Sequence, residues 1–174
     1  PLAKLNGGRP FVLLDACEET PTVDAVNFPN EEAERAAMQH LIDRGCRNIA
    51  VIGHRFVPRA DLAHAQNAFA LRLRGACGAL SDAGMPYDES MVFEAGDVAN
   101  GIIAGHAIAE RILAARNGHG GTAFDGACCA NDFAAFGVIR GLADYGLQVP
   151  QDMKVIGFDG VTSGSYTTPT LSTI

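Results

Sequence analysis

The stretch GACCANDFAAFGVIRGLADYGLQVPQDMKVIGFDG, residues 126–160, decides the fold. It contains two short apolar runs, 126–130 and 154–158, each of strand length and each bounded by residues that favour turns. Between them, residues 132–145 carry the spacing of apolar side chains that is typical of a helix, and Gly146 follows where a helix would end. A strand, a helix and a second strand in this order predict two parallel strands joined by a right-handed crossover.

The same alternation continues toward the N-terminus. Asn30 has the side chain of a helix N-cap and is followed by two glutamates, so we expect a helix from here to Gly45. The apolar run 48–52 does not alternate with polar residues, which predicts a strand that is buried on both faces. The other predicted elements are strands at 11–14, 24–28 and 91–94 and helices at 61–83 and 98–115. Together they predict an α/β fold with a doubly wound parallel sheet.

The composition is that of a globular domain. The chain has 174 residues, of which 48% are apolar and 19% are charged, and no apolar run approaches the ~20 residues of a membrane helix. The net charge of −7 opposes contact with phosphate backbones, so direct DNA binding by this segment is not expected. The first residues lack the basic and apolar segments of a secretory signal. Five cysteines without a CxxC motif predict free, buried thiols in a reducing cytoplasm rather than a zinc site.

No arrangement of residues suggests catalysis. The histidines are scattered, and no Ser or Cys lies beside a basic residue that could activate it, so an enzyme is not expected. Polar residues instead follow three predicted strands, namely His54, Asn131 and Asp159. Ligands of open α/β sheets bind at the carboxyl ends of the strands. The amide of Asn131 and the carboxylate of Asp159 can donate to and accept from hydroxyl groups, which fits a sugar or another polyol.

Each of these residues also has a purely structural interpretation. Asn131 could shape the turn, and Asp132 is the expected N-cap of the helix that follows. Asp159 precedes a glycine and could form a turn, while His54 is expected to be a solvated loop residue. The local sequence leaves these alternatives open.

Three segments are informative as whole sequences. They are AVNFPNEEAERAAMQHLIDRGCRNIAVIGH at 25–54, TAFDGACCANDFAAFGVIRGLADYGLQVPQDMKVIGFDG at 122–160 and YTTPTLSTI at 166–174. In this order they resemble the lac-repressor/gal-repressor family of bacterial transcription regulators. The resemblance implies two α/β lobes similar to periplasmic sugar-binding proteins, preceded by a DNA-binding helix-turn-helix headpiece that lies outside this chain. It implies that residues 1–28 are the tail of the first effector-binding lobe, 29–170 the second lobe and 171–174 the crossover back toward the first lobe.

The resemblance also implies a ligand-binding set that consists of Asp15, Phe28, Arg72, Asn131 and Asp159. Asp159 matches a carboxylate that grips sugar hydroxyls in this family. Arg72, within RLRG, matches the arginine of the family's Arg-x-x-Gly motif, and that motif implies a helix that starts late, near Asn67. The alternatives are a solvated helix arginine at Arg72 and a core-packing residue at Phe28.

By this resemblance the chain is expected to be the effector-sensing domain of a bacterial transcription regulator. It would bind a small polar ligand, a sugar or sugar derivative, between two lobes and so modulate DNA binding by the headpiece. The alternative is a solute-binding protein of a sugar transporter, which has the same fold. No cofactor, metal or membrane contact is expected.

The expected partners are the effector, a second copy of the chain in a homodimer, and operator DNA reached only through the headpiece. The expected location is the cytoplasm. A lobe without its partner lobe should also expose apolar surface near 11–14 and 171–174 and self-associate there.

Overall fold

The structure, a computed structural model, describes residues 10–17, 23–95, 101–117 and 124–174. Its strands and helices alternate along the chain. In order they are β1 (Val12–Leu14), β2 (Asp24–Val26), α1 (Asn30–Asp43), β3 (Ile49–Ile52), α2 (Ala68–Asp82), β4 (Val92–Phe93), α3 (Gly101–Asn117), β5 (Gly126–Cys129), α4 (Asp132–Asp144), β6 (Lys154–Gly157) and β7 (Ser172–Thr173). Short 3-10 turns lie in the connections at Asp61–His64, Glu89–Met91 and Thr162–Tyr166.

Five strands form one parallel sheet in the order β4-β3-β5-β6-β7. Strands β1 and β2 pair in parallel in a separate two-stranded sheet. The predicted α/β fold with a parallel sheet is therefore confirmed. Strand β7 lies at the edge of the main sheet, beside β6.

Two hydrophobic cores lie on opposite faces of the main sheet. On one face, Ile49 and Val51 of β3 pack in a cluster with buried residues of α1 and α2. On the other face, Ala50 and Ile52 pack with buried residues of α3 and α4. Because successive side chains of a strand point to opposite faces, both cores need apolar residues from the same strand. This explains why β3 is a continuous apolar run and confirms that the sheet is doubly wound.

Glycines allow the helices of each pair to pack closely. A Cβ atom at Gly75 of α2 would lie 2.1 Å from the carbonyl oxygen of Glu31 in α1. A Cβ atom at Gly137 of α4 would lie 2.0 Å from the carbonyl oxygen of Ile102 in α3. Neither contact is sterically possible, so the spacing of each pair depends on the absence of a side chain.

The second predicted helix differs from its expected extent. The region predicted as one helix at 61–83 contains a 3-10 turn, a break and then α2. The side chain of Asn67 is the N-cap, because its Oδ1 accepts a hydrogen bond from Ala70 N at 2.9 Å. The late start that the Arg-x-x-Gly motif implied is therefore correct. For the predicted helix at 98–115, residues 98–100 lie outside the described part of the chain.

Apolar side chains are exposed near both ends of the described chain. Val12 and Leu14 in β1 are 53% and 77% exposed, and Ile174 is 43% exposed. Self-association through them stays a prediction, as does the division of the chain into parts of two lobes. All five cysteines are buried and free of disulfides, as predicted. Within the described residues, no helix combines the length and the hydrophobicity that crossing a membrane requires.

The close packing of α1 and α2 can be tested with two substitutions in one helix. Gly75→Ala places a methyl group against backbone atoms, so we expect the free energy of unfolding to fall by about 1–3 kcal/mol. Gly78→Ala is the matched control, because its methyl group would meet only the flexible end of the Arg35 side chain. There the higher helix propensity of Ala should give no loss and up to about 1 kcal/mol of gain. Urea denaturation measures both, and equal effects of the two substitutions would contradict this packing.

Candidate functional site at the carboxyl ends of the strands

Three connections lie side by side where the strands of the main sheet end. They follow β3, β5 and β6 and contain His54, Asn131 and Asp159. Backbone hydrogen bonds join neighbouring connections: Ala130 N donates to Ile52 O at 2.8 Å, and Asp132 N donates to Phe158 O at 2.8 Å. The polar residues that were predicted from the strand ends therefore share one edge of the sheet.

Arg72 is the central residue of this edge. It is buried in the second turn of α2, a position that the N-cap at Asn67 determines. Its Nε donates to Asn30 Oδ1 at 2.8 Å, and its Nη1 donates to the carbonyl oxygen of Ala130 at 2.5 Å. The interpretation as a solvated helix arginine is therefore wrong, because the guanidinium is held by α1 and by the end of β5.

An aromatic ring and a carboxylate complete the surroundings of the Arg72 guanidinium. Its Cζ lies 3.6 Å from the centroid of the Phe158 ring, which is a cation–π geometry. Its Nη2 lies 3.5 Å from Asp159 Oδ1. Phe158 and Asp159 are consecutive, so the connection after β6 supplies both contacts. The prediction that Arg72 and Asp159 face one another is confirmed. That either residue binds a ligand stays a prediction.

Asn30 links Arg72 to β1. The expectation that its side chain caps α1 is wrong, because Pro29 is the N-cap residue and Asn30 is already helical. The buried amide has other partners: its Oδ1 accepts from Arg72, and its Nδ2 donates to Asp15 Oδ1 at 2.9 Å. An amide can serve both because it carries a donor and an acceptor. Asp15, Asn30, Arg72 and Asp159 thus form one polar chain across four segments.

Asp159 has an unusual backbone and an unusual electrostatic environment. Its φ of 110° lies in a region that side-chain-bearing residues rarely adopt, and such strain is concentrated at functional sites. Its backbone N donates to Ile174 O at 2.9 Å, so the end of the chain holds this conformation. Burial raises the pKa of the Asp159 carboxyl, and the charge of Arg72 opposes this rise. The side chain is nevertheless 39% exposed, so a ligand can reach it.

The other predicted site residues are placed differently. Asn131 is the N-cap of α4, because its Oδ1 accepts from Ala134 N at 2.8 Å. The expectation that Asp132 is the cap is therefore wrong; its two oxygens instead accept from Val161 N and Thr173 Oγ1, at 2.7 and 2.6 Å. Phe28 is 65% exposed and therefore packs in neither core of the described sheet.

Sequence reasoning missed a buried acid–base pair behind this edge. His54 was expected to be solvated, but it is 1% exposed and its Nε2 lies 3.8 Å from Oε1 of Glu34, which is fully buried in α1. The expectation for His54 is therefore wrong. The ring of Phe69 packs edge-on against the imidazole, with 6.1 Å between the two ring centroids. One signal was present, a histidine directly after the glycine that ends a buried strand.

The side chains at this edge present hydrogen-bond donors and acceptors. Within the described part of the chain, no group of three His, Cys, Asp or Glu side chains could hold a metal ion. Arg72 offers donors, and Asp159 and Asp15 offer acceptors. Nδ2 of Asn131 is a further donor without a hydrogen-bond partner among the described residues. Donors beside acceptors are what the hydroxyl groups of a sugar require.

Comparisons with known proteins identify relatives. Residues 38–174 match the family model of the periplasmic binding protein-like domain. The HTH-type transcriptional repressor PurR of Aliivibrio fischeri is 31% identical over 173 residues, 99% of this chain and 47% of that protein. The catabolite control protein A of Priestia megaterium is 32% identical over 167 residues, 95% of this chain and 45% of that protein. The chain thus spans about half the length of these curated relatives.

Solved structures of two transcription regulators are similar to this chain over most of its length. A LacI-type transcription regulator from Bifidobacterium animalis has a TM-score of 0.77 and 29% identity, over 95% of this chain and 57% of that one. A LacI-family regulator from Enterococcus faecium with bound ribose has a TM-score of 0.76 and 26% identity, over 95% and 55%.

The electrostatic environment of Asp159 predicts a gain in stability on substitution. Because burial raises its pKa, the native state binds the proton more tightly than the unfolded chain, and the charged carboxylate destabilises the fold above the native pKa. Asp159→Asn removes this charge, and Asn tolerates positive φ. We expect the free energy of unfolding at pH 7 to rise by less than about 1 kcal/mol, since solvent screens a partly exposed group. The gain should vanish as the pH falls below about 4, the pKa of Asp in an unfolded chain.

The matched control is Asp144→Asn, for which the opposite sign is expected. Hydrogen bonds from Arg140 and His106 lower the pKa of the exposed Asp144 carboxyl, so its stabilising contribution is present above the unfolded pKa. Its substitution should slightly reduce stability at pH 7. Urea denaturation at pH 7 and at about pH 3 measures both variants. A loss of stability at pH 7 for Asp159→Asn would contradict the role assigned to burial.

Proposed function

Because this chain belongs to the periplasmic binding protein-like domain family, we propose that it is the effector-sensing region of a bacterial transcription regulator. The curated relatives named above are HTH-type regulators or a catabolite control protein, which favours a regulator over the solute-binding protein of a transporter. The longer protein would carry a DNA-binding headpiece and work in the cytoplasm. The acidic segment described here would contact operator DNA only through that headpiece.

One observation carries the proposal: a buried guanidinium and a partly exposed carboxylate face each other at the carboxyl edge of a doubly wound sheet. Ligands of such sheets bind at this edge. Asn30, Ala130 and Phe158 fix the guanidinium before any ligand arrives. A preorganised site loses little conformational entropy on binding, so its charge-assisted hydrogen bonds contribute fully to affinity.

The proposed ligand is a small polyol, a sugar or sugar derivative. Asp159 would accept from its hydroxyl groups, Arg72 and Asn131 would donate to them, and Asp15 would accept from the side of β1. Phe28, exposed near β2, would pack against the apolar face of the sugar ring. The ribose bound to the Enterococcus faecium relative belongs to that protein, but it is a ligand of this chemical class.

The proposed mechanism is a shift between two arrangements of lobes rather than catalysis. A ligand that bridges the lobe described here and a second lobe favours a closed arrangement by its difference in affinity for the two states. DNA affinity changes only by that difference. The regulator would act as a homodimer, in which two headpieces bind the two halves of an operator.

A screen of D-ribose, D-glucose, D-gluconate and nucleobases by thermal shift on the full-length regulator tests this function. Asp159→Ala should weaken the response to the active compound at least about tenfold, because a charged hydrogen bond contributes about 1.5–3 kcal/mol. Operator affinity without ligand should not change. The control is Arg74→Ala, which removes a charged residue of α2, the helix of Arg72, that pairs with Glu31 and not with Asp159.

The two variants separate the possible outcomes. An unchanged response of Asp159→Ala together with full operator affinity would refute the proposed site. An equal loss in both variants would show a general weakening of the fold rather than a specific role of this edge.

A further inference from the structure

Glu34 and His54 form an almost completely buried pair, at 0% and 1% exposure. Glu34 Oε1 accepts from Cys128 Sγ at 3.2 Å and lies 3.8 Å from His54 Nε2. The other carboxylate oxygen and both imidazole nitrogens have no hydrogen-bond partner among the described residues. Three unpartnered polar atoms therefore lie in one small volume between α1, β3 and β5.

Stability does not explain this pair. Removing a carboxyl and an imidazole from water is unfavourable, and an ion pair of poor geometry returns little of that free energy. Buried polar groups in native proteins are nearly always hydrogen-bonded, and the exceptions are concentrated at functional sites. Apolar residues of similar volume would pack here without that penalty. The pair therefore calls for a functional explanation.

Two structural routes connect the pair to the proposed effector site. Glu34 is one turn along α1 from Asn30, the residue that binds both Arg72 and Asp15. His54 packs edge-on against Phe69, and the Arg72 Cζ lies 5.7 Å from the centroid of that same ring. A change in the charge or position of the pair would therefore alter the contacts of the Arg72 guanidinium with Asn30 on one side and with Phe69 on the other.

The charges around the pair are unbalanced. The other groups whose charges act here are Arg72 from α2, Cys128 from β5, Asp132 from α4 and Asp159 from the end of β6, while Cys129 of β5 packs in the opposite core. Burial raises the pKa of Asp159, Arg72 opposes the rise, and the charges of Asp132 and Glu34 add to it. Burial also raises the pKa of both thiols, so neither cysteine carries charge. The next arginines along the two helices, Arg35 and Arg74, pair with Asp82 and Glu31. Asp159 lies 3.5 Å from the Arg72 guanidinium, while the charges of Glu34 and Asp132 oppose its ionisation, so this group of three carboxyl groups has one guanidinium beside it.

We propose that Glu34 and His54 are positioning residues of the effector site, and that effector binding draws a proton into the cluster they form with Arg72 and Asp159. The coupling rests on the proposed function, since it requires a ligand that closes the site. Closure removes water from Asp159, whose side chain is 39% exposed in this lobe, and so strengthens the repulsion among the three carboxyl groups. A proton taken from solvent offsets that repulsion. By linkage, affinity for the effector then falls as the pH rises.

Isothermal titration calorimetry on the full-length regulator tests this coupling. D-ribose, D-glucose and D-gluconate are titrated separately at pH 7 in PIPES and in Tris, whose ionisation enthalpies differ. The difference in heat between the two buffers gives the number of protons bound per ligand. For the sugar that binds, we expect an uptake of about 0.3–1 proton per site in the unaltered protein. Glu34→Gln keeps the shape of the side chain and should reduce that uptake by at least half.

Two further variants make the result decisive. His54→Gln should reduce the uptake in the same way, which keeps the test usable if Glu34→Gln does not fold. His106→Gln is the control, because it removes a surface imidazole that pairs with Asp144 on α4, and it should leave the uptake unchanged.

Binding with equal heats in the two buffers would overturn the proton coupling and leave the proposed function standing. The proton coupling would also be overturned if Glu34→Gln lowers the free energy of unfolding but takes up as many protons per ligand as the unaltered protein. That result would show that Glu34 has a purely structural role. Failure of all three sugars to bind, in calorimetry and thermal shift alike, would overturn the proposed sugar effector and this coupling together.

Discussion

The buried guanidinium of Arg72 is the interaction on which the carboxyl edge of the sheet depends. A buried charge is tolerated only when it is paired and hydrogen-bonded, and here the partners come from three different segments. Asn30 belongs to α1, the Ala130 carbonyl follows β5, and Phe158 and Asp159 follow β6. Satisfying one side chain therefore fixes the positions of two connections relative to α1 and α2. The close approach of α1 and α2 at Gly75 holds the backbone of Arg72 near enough for these contacts.

The same edge concentrates features that are unfavourable for stability. Asp159 has a positive φ, and burial raises its pKa, while Glu34 and His54 bury polar atoms without partners. Elsewhere the described sheet is covered on both faces by apolar clusters and tightly packed helices. Proteins accept such local conflicts where a ligand, a proton or a conformational change makes use of them. The distribution of unfavourable features and the location of the proposed site therefore agree without reference to any relative.

The sheet was predictable from the sequence because strands buried on both faces leave an unambiguous apolar pattern, as in β3 and β5. The facing of Arg72 and Asp159 was predictable because strand ends in a parallel sheet share one edge, and because a motif fixed the start of α2. The roles of Asn30 and Glu34 were not. Asn30 precedes two acidic residues, a local pattern that is typical of an N-cap. Glu34 lies in a helix rich in acidic residues, a pattern that favours a solvent-exposed side chain. Both side chains are buried because of tertiary contacts, which a local pattern does not show. These contacts bring β1, β5 and the connection after β3 against α1.

The most direct test of the central claim is the side-chain NMR signal of the Arg72 Nε–H group in the full-length regulator, assigned by comparison with Arg72→Lys. This N–H donates to Asn30, at the junction of the proposed site and the buried pair. During titration with whichever of D-ribose, D-glucose or D-gluconate stabilises the protein, we expect the signal to shift and saturate together with the thermal shift. A sugar that binds and stabilises the protein while the Arg72 signal stays unchanged would place the ligand elsewhere and contradict the account.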